Sequence, residues 1–222
     1  GASLLAARGA LRSGVGLVTW NMPSGVQRDL EFPEVMTHDA SGGLDTRSGT
    51  LVVGPGLGTS VDGARLLELA LESGRPLILD ADALTLLAQL ELKVPPGSIL
   101  TPHPGEAATL LGRTVQEVQS DRLAATRQLS DAYGATVALK GAGTVITSPG
   151  EPICLVDIAC PALAVPGSGD VLAGIIAGLR SQGLDASSAA QVGVWLHGRA
   201  GVTLGQASAN RGVLASEIAD RL

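Results

Sequence analysis

The chain has 222 residues, 45% of them hydrophobic and 16% charged, with a formal net charge of −6 at pH 7. That length and apolar content suffice for the core of one α/β domain. The acidic balance and the scarcity of aromatics (Trp20, Phe32, Tyr133 and Trp195 complete the set) argue against a nucleic-acid surface, which needs a basic stripe and stacking platforms.

Gly1 opens directly into the helical pattern ASLLAARGALRSG, so the sequence reads as a piece of a longer chain. VGLVTW (15–20) follows as a strand, then a poorly patterned stretch over residues 21–48, rich in Gly, Pro and acidic residues. TLVVG (50–54) reads as a buried strand ending in the turn Pro55-Gly56-Leu57-Gly58. Residues 60–73 carry Leu66, Leu67, Leu69 and Ala70 at helical spacing. RPLILDADAL gives a strand, a carboxylate-bearing turn and a helix to about Leu90. SILTPHPGE is a short strand broken by two prolines, with a helix through Leu111. Residues 115–133 read as one amphipathic helix, ATVALKGAG as a strand with a glycine turn, and TVIT with PICLV as a short hairpin pair. From Asp170 onward the chain is mostly helical, with Gly183, Gly205 and Gly212 as breaks. No repeat or low-complexity linker divides it, and residues 1–222 read as a single domain.

Continuous β-branched runs without alternation mean strands buried on both faces, the mark of a largely parallel sheet covered by helices. Such a sheet binds its ligands beyond the carboxyl ends of its strands. The turns after TLVVG, LILD, SILT and VALK, and the one before Asp170, all fall at that edge. The longest apolar runs, TLVVG and GIIAG among them, are far short of the roughly 20 residues of a membrane span. No secretory signal pattern is present, and Cys154 and Cys160 make neither a disulfide scaffold nor a zinc site. A reducing cytoplasm is the expected compartment.

The run Pro166-Gly167-Ser168-Gly169-Asp170, leading into VLAGIIAGLRSQG, places backbone amides, a helix start and one carboxylate at one point. A glycine-rich turn at a helix N-terminus suits an anion, because free amides and the positive end of the helix dipole converge there. An aspartate beside it can take a proton from a hydroxyl as the oxygen attacks a phosphoryl group. The same residues also read as an Asp N-cap after a flexible turn.

Together, LVVGPGLG, LILDADAL, ILTPHPGEAATLLG, ALKGAGTVI and PGSGDVLAGIIAGL resemble, in order and spacing across residues 1–222, the ADP-dependent (S)-NAD(P)H-hydrate dehydratase family. The resemblance implies a ribokinase-like fold, three layers α/β/α around a largely parallel central sheet. It implies ADP-dependent dehydration of the S epimer of hydrated NADH or NADPH, with NAD(P)H, AMP and phosphate as products. ADP as co-substrate, Mg²⁺ carried chiefly by nucleotide phosphates and a homotetramer come with it. Carried over residue by residue, Asp170 is the general base and a substrate contact, and Gly167, Ser168 and Gly169 form an anion hole. Lys140, Gly141, Ala142, Gly143 and Thr144, with Gly169, bind the nucleotide, while Ala2, Gly56 and His103 line the hydrate site.

Blander readings stand beside several of these. Glu106 either reaches the metal through water or is favourable charge in a first helical turn. His103 also reads as a helix-entry residue, and residues 140–144 as a plain hairpin turn. Asp80 and Asp82 are either helix caps or metal-side carboxylates. His197, in VWLHGRAG, reads as a packed or interface histidine, His38 carries no signal, and Cys160 is by default a small buried thiol.

The sequence departs from the family pattern twice. Pro166 stands where the family has a glycine, which removes an N–H donor and fixes φ. Family members also begin with a strand and a Gly-Gly-Ser-type turn ahead of the segment matching Gly1-Ala2, and many bacterial members carry an upstream epimerase domain. That strand is expected ahead of Gly1, and the epimerase domain is left open. Two rival readings are an ATP-dependent small-molecule kinase of the same superfamily and a non-catalytic nucleotide-binding subunit; PHPGE and KGAGT favour the dehydratase.

Overall fold

A computed structural model describes residues 1–23, 32–45, 47 and 49–222. Helix α1 (Ala2–Arg12) leads into β1 (Thr19–Met22), which pairs in parallel with β2 (Met36–Asp39) as a separate two-stranded sheet. The larger sheet holds six strands in chain order: β3 (Leu51–Val53), β4 (Leu77–Leu79), β5 (Ile99–Leu100), β6 (Thr136–Leu139), β7 (Thr144–Thr147) and β8 (Cys154–Val156). Its first four strands run parallel, in the register Leu51↔Leu77, Ile78↔Ile99 and Ile99↔Thr136. β7 and β8 then turn back antiparallel. Helices α2 (Val61–Glu72), α3 (Asp82–Leu90), α4 (Pro104–Leu111), α5 (Val115–Ser120) and α6 (Arg122–Tyr133) connect the parallel strands. The chain closes with α7 (Ser168–Ser181), α8 (Ala186–Ser208) and α9 (Ala215–Ala219).

The strand pleat sorts the apolar runs into two cores. Leu77, Leu79 and Leu139 pack with Leu67, Leu87 and Leu129 of the α2–α6 layer. Ile78, Ile99 and Ile146 point the other way, onto Leu172 and Ile176 of α7 and Val194 of α8. Both faces are covered, which is why these strands show no polar alternation. The expected three layers are present.

Helix α1 holds α7 in place at very close range. A Cβ on Gly174 would lie 1.9 Å from the Ala6 carbonyl oxygen, and one on Gly9 2.4 Å from that of Val171, so the two helices touch backbone to backbone. Gly174→Ala is therefore expected to destabilise the protein by about 1–3 kcal/mol or more, as overpacking does. Gly16→Ala, whose Cβ would meet nothing within 4 Å, should stay within about 0.5 kcal/mol. Urea denaturation of the two variants checks the contrast.

Four expectations change. The first strand starts at Thr19 rather than Val15 and extends to Met22. Of the stretch 21–48, residues 24–31, 46 and 48 lie outside those described, but the rest contains β2, which the sequence pattern did not reveal. Residues 115–133 are two helices, not one: Asp121 sits at φ −147°, ψ 81°, and its carboxylate accepts from the Ala124 amide at 2.9 Å, starting α6 afresh. Gly205 is no break but a buried position inside α8, where a Cβ would meet the Asn210 Oδ1 at 2.3 Å.

Candidate active site

The carboxyl ends of β4, β5 and β6 and the start of α7 surround a cavity of about 630 Å³. Two of those strands end in opposite charges. Asp80 directly follows β4 and is 1% exposed; Lys140 directly follows β6. The Lys140 Nζ donates to the Asp80 Oδ1 at 2.6 Å and lies 3.9 Å from the Glu106 Oε2. A carboxylate this buried needs such a partner. Gly169 leaves room for the pair, since a Cβ there would stand 3.1 Å from the Lys140 Nζ. Ala81, also on the cavity wall, adopts φ 49°, ψ −121° as α3 begins. Backbone of that kind in a non-glycine residue costs about 1–3 kcal/mol.

Asp80 does not cap α3; it is held by Lys140. Asp82 accepts from the Gly58 amide at 2.8 Å, tying the turn after β3 to α3. Gly54 makes that turn possible: its φ is 123°, and a Cβ would fall 1.7 Å from the Asp80 carbonyl oxygen.

His103 and Glu106 form a reciprocal cap on α4. The His103 Nδ1 accepts from the amides of Gly105 (2.9 Å) and Glu106 (3.2 Å), and the Glu106 Oε2 accepts from the His103 amide (2.7 Å). Both residues nonetheless line the cavity. Burial pushes the Glu106 carboxyl above its usual range, against the pull of Lys140.

At the start of α7, Gly167 adopts φ 88° and no side chain caps the helix. The Ser168 amide donates to the Val165 carbonyl at 3.2 Å. The Ser168 amide, one of those expected in the anion hole, is thus already engaged within the protein. Asp170 is half-buried, and its carboxyl is pushed up to about 6, first by burial and then by the Asp80 charge, with Lys140 opposing.

The turn after β6 is an antiparallel hairpin whose Gly141, Ala142 and Thr144 line the cavity. Gly143 does not; a Cβ there would meet the Leu155 Cδ1 at 3.3 Å. Arg122 donates to the carbonyls of Leu139 and Ala142, each at 3.0 Å, and so braces the turn from α6. Ala2 and Gly56 come together, with a Gly56 Cβ 3.5 Å from that of Ala2. They lie outside this cavity, and Gly56 borders another of about 270 Å³ lined by β1, β3 and α1. Ten of the sequence-predicted residues thus share one cavity: His103, Glu106, Lys140, Gly141, Ala142, Thr144, Gly167, Ser168, Gly169 and Asp170.

Sequence reasoning missed two partnerships here. One is Asp80 with Lys140, which the apolar run LIL closing on a carboxylate could have signalled. The other is His197 with Ser168, 3.0 Å apart. Chemically, the site sets a carboxyl raised to about 6 beside a helix start and a half-buried lysine. That combination can take a proton from a hydroxyl and hold an anionic group.

The sequence model of NAD(P)H-hydrate dehydratases matches residues 1–222. The chain belongs to this family. Among dehydratase-family relatives, the bifunctional NAD(P)H-hydrate repair enzyme of Coxiella burnetii is 40% identical over 98% of this chain and 46% of its own length. The ADP-dependent (S)-NAD(P)H-hydrate dehydratase of Neisseria meningitidis is 41% identical over 99% of this chain and 78% of its own. The chain thus spans about half the length of the bifunctional relatives it matches. The Bacillus subtilis ADP/ATP-dependent NAD(P)H-hydrate dehydratase, crystallised with ATP and Mg²⁺ and soaked with coenzyme A, superposes with a TM-score of 0.86 at 30% identity. That superposition covers 99% of this chain and 84% of the Bacillus one. The dehydratase-family fold is ribokinase-like, as the sequence led us to expect.

Proposed function

We propose that the protein catalyses ADP-dependent dehydration of the S epimer of hydrated NADH or NADPH, releasing AMP and phosphate and restoring the dihydronicotinamide. The observation that carries this reading is the single cavity where Asp170, the Lys140–Asp80 pair and the start of α7 meet. Asp170 takes the proton of the hydrate hydroxyl as that oxygen attacks the terminal phosphorus of ADP; the bond to the bridging oxygen breaks and AMP leaves. The start of α7, with Gly167, Ser168 and Gly169, and Lys140 offset charge on the transferred group. Phosphate then departs from the ring carbon while the neighbouring carbon loses a proton to water, and the electron pair of that C–H bond restores the double bond. In the turn from Lys140 to Thr144, Lys140, Gly141, Ala142 and Thr144 take the nucleotide phosphates and Gly143 shapes the turn; the hydrate sits against His103 and extends past the cavity toward Ala2 and Gly56.

Among the described residues no cluster of three or more His, Cys, Asp or Glu is placed to hold a metal ion, and Asp80 is already engaged by Lys140. A magnesium ion, hard and water-retaining, would be carried mainly by the nucleotide phosphates, with Glu106 on the cavity wall reaching it through water; bound there, it would neutralise phosphate charge. The reading places 1–222 as one catalytic domain of a cytoplasmic homotetramer. Trp195 (50% exposed) and Val192 on α8 supply an apolar surface for assembly. No helix among the described residues is long and apolar enough to cross a membrane.

The test is return of dihydronicotinamide absorbance from hydrated NADH in the presence of Mg²⁺ and ADP or ATP. ADP is expected to work at least as well as ATP. Phosphorylation of a small alcohol with ATP alone, and no restored absorbance with either nucleotide, would replace the dehydratase with a kinase.

A further inference from the structure

We propose that His197 is a positioning residue for the phosphoryl-transfer step, orienting the Ser168 hydroxyl so that its proton points into the cavity beside Asp170. The proposal rests on the reading of the α7 start as the anion site. His197 stands on α8, is only 8% exposed, and lines the same cavity as Ser168 and Asp170. Its Nε2 lies 3.0 Å from the Ser168 Oγ and 3.0 Å from the Ser168 carbonyl oxygen.

The carbonyl oxygen can only accept, so Nε2 must carry the ring proton. A hydroxyl facing an N–H cannot return its own proton to that nitrogen. The Ser168 O–H is therefore left to donate elsewhere, and the cavity is where an acceptor can arrive. Because the Ser168 amide is already spent on Val165, the hydroxyl is the donor this residue keeps for an anion. The imidazole acts by orientation and not by charge. Burial holds it well below its ordinary value, at about 4, and Lys140 adds to that. The next residue on α8, Gly198, packs against the segment after β8, where a Cβ would lie 2.7 Å from the Ile158 Cδ1.

The experiment compares steady-state kcat and KM on hydrated NADH with ADP for the unsubstituted protein, His197→Ala, His197→Gln, Ser168→Ala, the His197→Ala/Ser168→Ala pair and Asp170→Asn. Thermal melts accompany each variant. His197→Ala is expected to lower kcat by about 10- to 100-fold, and Ser168→Ala, which removes the donor itself, by about 100-fold. KM for the hydrate should change little. His197→Gln, which keeps an N–H at similar reach, is expected to recover most of the loss. The pair should be little worse than Ser168→Ala alone, because the histidine acts through that hydroxyl.

Full turnover in Ser168→Ala overturns the proposal whether or not His197→Ala folds. So does a double variant whose losses multiply, or a folded His197→Ala with undiminished kcat. If Asp170→Asn is inactive while His197→Ala and Ser168→Ala are both normal, the roles of His197 and of the Ser168 hydroxyl fall and the reading of the site stands. Normal turnover in Asp170→Asn, or none in the unsubstituted protein, removes the reading of the site itself and the proposal with it.

Discussion

Asp170→Asn is expected to lower turnover by about two to four orders of magnitude, the scale of a lost general base, while ADP still binds. It is also expected to make the protein more stable. The Asp170 carboxyl is raised from 3.8 to about 6, chiefly by burial. Below 3.8 the group is protonated in both folded and unfolded chains, so it adds nothing to the comparison. Between 3.8 and about 6 the folded state binds more protons than the unfolded one, and stability falls as pH rises. Above about 6 the folded protein carries an ionised, half-buried carboxylate at its full cost. Asparagine avoids that cost, so its stability advantage should grow from pH 4 to pH 6 and stay level above. Urea denaturation at several pH values reads this directly. The same titration governs the unsubstituted enzyme: kcat/KM should climb with pH up to about 6 and then flatten, because the base must be ionised. Near-normal turnover in Asp170→Asn would remove Asp170 as the base. A stability difference that ignores pH would mean that the carboxyl is not raised.

The elements that sequence reading found are those whose fate is decided locally. LVV, LIL and TVAL are apolar runs of strand length between turn residues, and no other element suits a run that must be buried on both sides. PGSGD was visible for a similar reason, since its glycines permit the left-handed turn at Gly167 that lets α7 begin uncapped at the cavity. What escaped was decided at a distance. β2 (MTHD) is half-buried at Met36, Thr37 and His38 and has no apolar pattern; it exists because β1 offers a parallel partner. The break at Asp121 was hidden because the helical spacing of apolar residues continues across it. Asp80 read as either a cap or a metal-side carboxylate because its partner, Lys140, is 60 residues away. His197 has the same helical spacing whether its face meets plain core or the start of α7. Spacing alone could report burial and nothing of Ser168.

Lys140→Met is expected to cost about 3–5 kcal/mol of stability, the scale for stranding one partner of a buried ion pair. Asp80 is 1% exposed, and the Lys140 side chain only 19%, so water replaces the lost ammonium poorly. If the charge pair were the whole role of Lys140, Asp80→Asn in the same chain would repair everything. It is expected to repair only part. The double variant should regain most of the stability, because no lone charge remains buried. Its turnover should stay low, because the cation facing the phosphates at the turn after β6 is gone. The titrations of the neighbours separate the two roles further. Lys140 is the charge that opposes the upward push on both Glu106 and Asp170. Its removal alone should move the rising limb of kcat/KM to higher pH. With Asp80→Asn added, a charge that raises Asp170 also disappears, and the limb should return toward its original position. Urea denaturation and pH-rate profiles of the three variants test this. A double variant that recovers turnover as well as stability would make Lys140 a counter-ion to Asp80 and nothing more. A stable Lys140→Met would show that water or Glu106 compensates Asp80, and the buried pair would lose its structural role.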